Sequence, residues 1–311
     1  MSAESNGRYA ALLVAYGAPQ SLAEVEPYLR DVRGGRPTPP EVVEELRRRY
    51  ARIGGRSPLL DRTREQAAAL RQALGTGDGT PIYVGMRHWH PYIRDVLAEI
   101  RADGFERVVA IPLAPHYSRL SIGAYERALE EGRGSLAVAL VRQWFDHPRL
   151  LDAVAERVQA ALARFDAEAR AAVPILFTAH SLPQRIAAEG DPYPAQLRAS
   201  VAGVMARLGN SERGRFAYQS AGRTPEPWLG PDAGAVLEEL AAQGERNVLL
   251  CPIGFVSDHL EVLYDVDVEY QELARNRGMR LERTESLNAS PLLIAALADL
   301  LRASAQSRGW T

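Results

Sequence analysis

The chain has one cysteine, Cys251, in 311 residues. A single cysteine excludes an internal disulfide, a four-cysteine zinc site and an all-cysteine iron–sulfur cluster. No charge sign is in excess, since 37 Lys and Arg face 39 Asp and Glu for a net −2. That balance removes the electrostatic case for a nucleic-acid partner. No apolar run reaches the roughly 18 residues that suggest a membrane span. The opening MSAESNGRY has no apolar h-region of a signal peptide, so a cytoplasmic protein is expected. The usual nucleotide and serine-hydrolase signatures are missing too. Ala15-Tyr-Gly-Ala-Pro19 stands where a GxGxxG would follow the first strand, and neither GxxxxGK[ST] nor GxSxG occurs.

Hydrophobic residues make up 46% and charged residues 24%, which suits a soluble globular chain long enough for two domains. Apolar runs over 9–16, 81–86, 108–113 and 136–141 read as strands, with helical patterns between them. Ser21 is placed to cap a first helix running to Val32. After Asp146-His147-Pro148 an Ala-rich helix is expected to about Ala169. The strand–helix alternation then restarts with strands over 173–179, 215–219 and 248–253. Alternation of this kind predicts an α/β fold of two Rossmann-like domains, each with a parallel sheet flanked by helices. The expected boundaries are 1–147 and 148–311, with a last helix over about 290–304 that can pack back on the first domain.

The stretch from Cys251 to Glu272 holds the densest chemistry. An apolar strand ends near Gly254, and Ser257 or Asp258 is placed to cap a helix. Glu261, Asp265 and Glu269 then fall at i, i+4 and i+8, along one helical face. Such a row is either a solvated acidic face or a path for a divalent cation. Its place beyond the carboxyl end of a strand favours the cation, because open α/β sheets bind ligands there. Cys251, inside the apolar strand, reads as a buried small hydrophobe. His180 follows Pro-Ile-Leu-Phe-Thr-Ala at another strand end, whereas His259 lies on a different helix side from Glu261 and reads as structural. His180 and Glu261, from two parallel strands, are placed to share one metal or one proton. One His and one carboxylate make a weak, exchangeable metal site, suited to a metal that is handed on. In the first half, Tyr16 ends a strand, and Arg33 and Arg36 lie on a Pro/Gly-stiffened loop. Arg49, Tyr50 and Ser57 follow. Such groups either form a solvated basic surface or bind carboxylates by charge-assisted hydrogen bonds. Tyr125 and Trp228 either line a flat aromatic pocket or pack in the core.

Several stretches together carry a family resemblance: LLVAYGAP (12–19), RRRYARIGGRSPL (47–59), LAPHYS (113–118), TAHSLP (178–183), GDPYPAQL (190–197), QSAGRTPEPWLGPD (219–232) and PIGFVSDHLEVLYD (252–265). They span nearly the whole chain, and the chain resembles the ferrochelatase family, its coproporphyrin III branch most closely. The resemblance implies the chelatase fold, two four-stranded Rossmann-like domains with a porphyrin cleft between them. It implies insertion of Fe²⁺ into coproporphyrin III, with release of two pyrrole protons, in haem biosynthesis.

Residue by residue, the resemblance implies that His180 and Glu261 are the catalytic pair and the Fe²⁺ contacts. Asp265 and Glu269 match the secondary acidic row behind them. Tyr16, Arg33, Arg49, Tyr50, Ser57 and Tyr125 match positions that contact the porphyrin, and Tyr16 marks the coproporphyrin type. Fe²⁺ is then a substrate, with no permanently bound cofactor and no iron–sulfur cluster. The resemblance favours a monomer that hands its product to a downstream haem-pathway enzyme. A protoporphyrin IX ferrochelatase remains an alternative. So does a cobalt chelatase, for which His88 and His90 supply the hint. A tetrapyrrole carrier without catalysis is the alternative of a different class.

Overall fold

A computed structural model of the chain describes residues 8–75, 79–209, 213–222 and 224–310. Residues 1–7, in the stretch read above for a targeting signal, lie outside the described residues, as does Arg223 of the 219–232 motif. The chain divides into two compact units, 1–144 with 288–311, and 145–287.

The first unit is built on strands β1 (Ala10–Ala15), β2 (Ile82–Met86), β3 (Arg107–Pro112) and β4 (Ala137–Leu140). They form one parallel sheet in the order β2-β1-β3-β4. Every residue of β1 is buried, which is why Ala-Ala-Leu-Leu-Val-Ala reads as an unbroken apolar run. A parallel sheet is covered on both faces, so its inner strands have no solvent side to make polar. Helices α1 (Val25–Val32) and α2 (Pro40–Arg52) pack on each other, and α3 (Leu59–Leu74), α4 (Ile93–Ala102) and α5 (Ile122–Gly132) pack on the strands.

The second unit repeats the pattern. It contains α6 (Pro148–Leu162), α7 (Ala167–Arg170), β5 (Ile175–His180), α8 (Arg185–Ala188), α9 (Tyr193–Leu208), β6 (Gly214–Gln219), α10 (Ala233–Ala242) and β7 (Asn247–Cys251). A π-helix (Glu261–Tyr270), α11 (Gln271–Asn276) and β8 (Arg280–Arg283) follow. The four strands are parallel in the order β6-β5-β7-β8. The two-sheet α/β architecture is therefore as expected. The last helix, α12 (Pro291–Ser307), belongs to the first unit and not to a second domain running to 311. Its Leu293, Leu297 and Leu301 are fully buried, and the helix packs on α3 and β3. No helix among the described residues is long and apolar enough to cross a membrane.

Local structure departs from the sequence reading at several places. The Ser21 side chain makes no cap bond; a 3₁₀ turn over Leu22–Glu24 leads into α1. The Ala-rich helix stops at Leu162, because Arg164 and Phe165 bond three residues back, which tightens the turn and buries Phe165. Strand β8 was not anticipated; its short polar sequence Arg-Leu-Glu-Arg gives little strand signal. The helix after β7 starts later than Ser257 or Asp258, with Leu260 before its first residue and no side-chain cap. Asp258 instead accepts a hydrogen bond from the Ser286 hydroxyl at 2.7 Å.

That helix is also π-type and not α-type. Its buried Val262, Val266 and Tyr270 are spaced by four. A strict four-residue stripe drifts around an α-helix of 3.6 residues per turn.

Candidate active site

His180 is the last residue of β5, and Glu261 is the first residue of the π-helix that follows β7. Strands β5 and β7 are neighbours, so both residues rise from the carboxyl edge of one parallel sheet. The His180 Nδ1 lies 2.8 Å from Glu261 Oε2. The side chains are 35% and 29% exposed, so a ligand can reach both. Burial works to lower the His180 pKa, but the charge and hydrogen bond of Glu261, with Asp265 behind, outweigh it and hold the pKa above 6.5. Burial likewise works to raise the Glu261 pKa. The charge and hydrogen bond of His180, then His259 and Ser220, bring it down to about 2. Nδ1–H therefore faces the carboxylate, and Nε2 is the ring nitrogen left for chemistry.

Other side chains hold the pair in place. The Tyr193 hydroxyl donates to the His180 carbonyl at 2.9 Å. The Trp228 ring stands edge-on to the His180 ring, centroids 6.5 Å apart, and its indole N–H donates to Thr224 at 3.0 Å. Ser220 has φ 58° and donates its hydroxyl to Asp265. A positive φ on a non-glycine residue is uncommon, and such strain concentrates at functional sites. Gly254 approaches β5 so closely that a Cβ there sits 2.6 Å from the Ala179 Cβ. Gly254→Ala is thus expected to cost about 1–3 kcal/mol by overpacking, read from denaturant unfolding. It also pushes on the residue before His180, so turnover is expected to fall with it.

The three acids of the expected row have different surroundings. Glu261 is partly exposed, Asp265 is buried and Glu269 is exposed. The row therefore runs from the His180 contact through the unit to its surface. Among the described residues, no three His, Cys, Asp or Glu side chains gather closely enough to hold a metal ion. Asp265 and Glu269 thus do not join His180 and Glu261 in a metal cage. His259 is structural, with Nδ1 3.0 Å from the Ser257 carbonyl and its ring against Phe255. Cys251 is buried, and desolvation pushes its thiol pKa up to about 12, which leaves it unreactive.

In the first unit, Tyr16 follows β1 and is 42% exposed. Its ring lies 4.7 Å from that of His88, with the Arg87 guanidinium 5.8 Å from its centroid. Arg33 is exposed beyond α1, and Arg49 on α2 pairs with Glu45 at 3.1 Å. Tyr50, Ser57 and Tyr125 are buried instead, at 3%, 0% and 4% exposure. Tyr125 belongs to the apolar core around β1 and β3, and desolvation raises its pKa. The Ser57 hydroxyl accepts from the Leu59 N–H at 3.3 Å. Of the six expected porphyrin contacts, these three are packed inside the unit in this structure.

Several partners were not foreseen. His88 Nδ1 lies 2.9 Å from Asp31, which also accepts from the Tyr92 hydroxyl at 3.2 Å. Asp31 thus orients the His88 ring through Nδ1. Asp31, Thr178, Tyr193 and Gln219 carry no sequence pattern of their own. A polar residue's burial against one particular partner is visible only after folding.

The Ferrochelatase family profile matches residues 8–305. A ferrochelatase of Herpetosiphon aurantiacus is 45% identical over 303 residues, which cover 96% of this chain and 98% of that protein. A coproporphyrin III ferrochelatase of Geobacillus thermodenitrificans is 39% identical, covering 93% of this chain and 94% of that one. Among solved structures, SirB from Bacillus subtilis with Fe³⁺ matches at a TM-score of 0.60 and 12% identity, over 97% of this chain and 98% of that one. At that identity the likeness concerns the fold. The sequence match along almost the whole length, with His180 and Glu261 in contact at one sheet edge, shows that the chain belongs to the ferrochelatase family.

Proposed function

We propose that this ferrochelatase-family protein inserts Fe²⁺ into coproporphyrin III, releasing two protons and yielding the iron porphyrin. The observation that carries the reading is the 2.8 Å contact of His180 with Glu261 at a partly exposed sheet edge. Metal insertion exchanges two pyrrole N–H protons for one divalent cation. It needs a base for the protons and a ligand that releases the metal. His180 supplies the base: its Nε2 is unbonded to Glu261, and the carboxylate raises its basicity. Glu261 and the His180 Nε2, on opposite sides of the imidazole ring, are separate weak donors that let Fe²⁺ pass on, whereas a full cage keeps it. Asp265 and Glu269 extend negative charge from the pair to the surface, a route for outgoing protons or incoming cations.

A free porphyrin is planar and its N–H hydrogens obstruct the metal. Binding energy spent on ring distortion lowers that barrier. Coproporphyrin has four propionates, and Arg33 and Arg49 provide cations for them. Tyr16, exposed beside Arg87 and His88, offers an aromatic face and a phenol to the ring. Tyr50, Ser57 and Tyr125 are retained as contacts that this reading reaches through local repacking on binding. The subtype is supported by the Geobacillus relative named for coproporphyrin III and by Tyr16. The reading also includes a cytoplasmic monomer without a resident cofactor, which delivers its product to a later haem-pathway enzyme.

Anaerobic Fe²⁺ insertion by the purified protein tests the reading, with coproporphyrin III and protoporphyrin IX followed in parallel by absorbance. Multiple turnovers of coproporphyrin, with slow conversion of protoporphyrin, are expected. A preference for protoporphyrin overturns the subtype. Tight binding with no turnover of either overturns the enzyme and leaves a tetrapyrrole carrier.

A further inference from the structure

Gln219 is the last residue of β6 and sits opposite His180 in the β5–β6 register. Its side chain is completely buried, at 0% exposure, and so is that of Thr178. The Thr178 hydroxyl donates to Gln219 Oε1 at 2.7 Å. The Gln219 Nε2 donates to the backbone carbonyl of Glu261 at 3.2 Å and lies 3.4 Å from the Ser220 hydroxyl. The Gln219 carbonyl in turn accepts from the Ser181 N–H at 2.8 Å.

One amide thus joins three elements. It touches β5 two residues before His180, β6 at its own position, and the first residue of the π-helix. A donor held from β6 against the carbonyl of the first residue of the π-helix ties the start of that helix to the sheet edge. A buried amide bonded in this way has one orientation, because a flip sets Gln219 Oε1 against the Glu261 carbonyl, acceptor against acceptor. Losing it leaves buried polar groups unpaired, which is costly. A residue with fixed orientation between two strands and a helix is suited to setting the distance between side chains on them.

We infer that Gln219 is a positioning residue for the His180–Glu261 pair, locking Glu261 at the distance where its carboxylate holds His180 Nδ1–H and leaves Nε2 open. This inference rests on the reading of that pair as the reacting groups. Gln219 touches neither porphyrin nor metal; it acts through the helix start and the strand.

The test uses Gln219→Leu and Thr178→Val in the full chain, with wild type alongside. Far-UV circular dichroism and thermal unfolding establish that each is folded. The first readout is the His180 ring tautomer, taken from imidazole ¹⁵N shifts measured above its titration range without metal or porphyrin. Wild type is expected to be Nδ1–H. Gln219→Leu is expected to relax toward a mixture with Nε2–H, the form an unheld imidazole is free to adopt. The second readout is steady-state insertion, where kcat is expected to fall about 10- to 100-fold with the porphyrin KM within about twofold, as for loss of orientation. Thr178→Val removes the other end of the clamp and is expected to give a smaller change of the same kind. If Gln219→Leu does not fold, Thr178→Val decides. An unchanged tautomer and unchanged kcat in a folded variant overturn the inference. The tautomer is read without turnover, so an inactive wild type sinks the chelatase reading and leaves the positioning role decided by the spectrum.

Discussion

His180→Ala is expected to abolish iron insertion while porphyrin binding survives. A positioned general base contributes about 10²- to 10⁴-fold to a proton transfer. Here the same ring also offers a metal contact, so the loss is expected at the upper end of that range. The variant leaves Glu261 without the group that holds its pKa at about 2, beside a buried Asp265. The carboxylate then takes up protons more readily and loses hold on cations. Binding is measured by quenching of intrinsic or porphyrin fluorescence, and insertion by absorbance. Full binding with no insertion matches a catalytic role. Loss of binding and insertion together, with a lowered melting temperature, assigns His180 a folding role instead.

Glu261→Gln carries the second large effect, and its pH dependence distinguishes it from simple damage. In the wild type the carboxylate holds the His180 pKa above 6.5. Insertion needs the imidazole neutral, so kcat/KM is expected to rise with pH through that raised value. A neutral glutamine removes the charge that opposed burial, and the His180 pKa then drops. The acid limb of the profile is expected to move to lower pH while the plateau falls at least 100-fold, since both proton acceptance and metal contact are weakened. A profile with unmoved limb and near-normal plateau removes Glu261 from the mechanism.

Stability follows the same groups. His180, with its folded pKa raised, contributes stability that is complete below 6.5 and is lost as pH rises through the folded value. Glu261, depressed from 4.5 to about 2, contributes stability that is complete above 4.5 and is lost as pH falls through about 2. The difference in melting temperature between wild type and Glu261→Gln is therefore expected to be largest between about pH 4.5 and 6.5.

Much of the fold was legible because parallel strands buried on both faces leave unbroken apolar runs, as at β1, β5 and β7. The exceptions have particular causes. β8 is short and polar, and α6 ends where Phe165 turns inward. The π-helix escaped because its four-residue apolar stripe resembles an α-helical one. His180 and Glu261 were legible as strand-end residues of the right chemistry. Gln219 and Thr178 were not, since an amide and a hydroxyl in a strand say nothing of whom they bond. Asp31 escaped for the same reason, with His88 57 residues away in the chain.

Composition and pattern by themselves determined the α/β class, the lack of an internal disulfide, and which strand ends carry a histidine and a carboxylate. They did so because strand and helix periods, and the count of cysteines, are local properties of the chain. Tertiary structure alone decided the strand order that makes β5 and β7 neighbours, and the 2.8 Å contact that follows from it. It also decided the burial of Tyr50, Ser57 and Tyr125, the return of α12 to the first unit, and the electrostatics of the pair. Those depend on residues distant in sequence meeting in a low-dielectric interior, where burial and one charged neighbour act against each other on the same pKa.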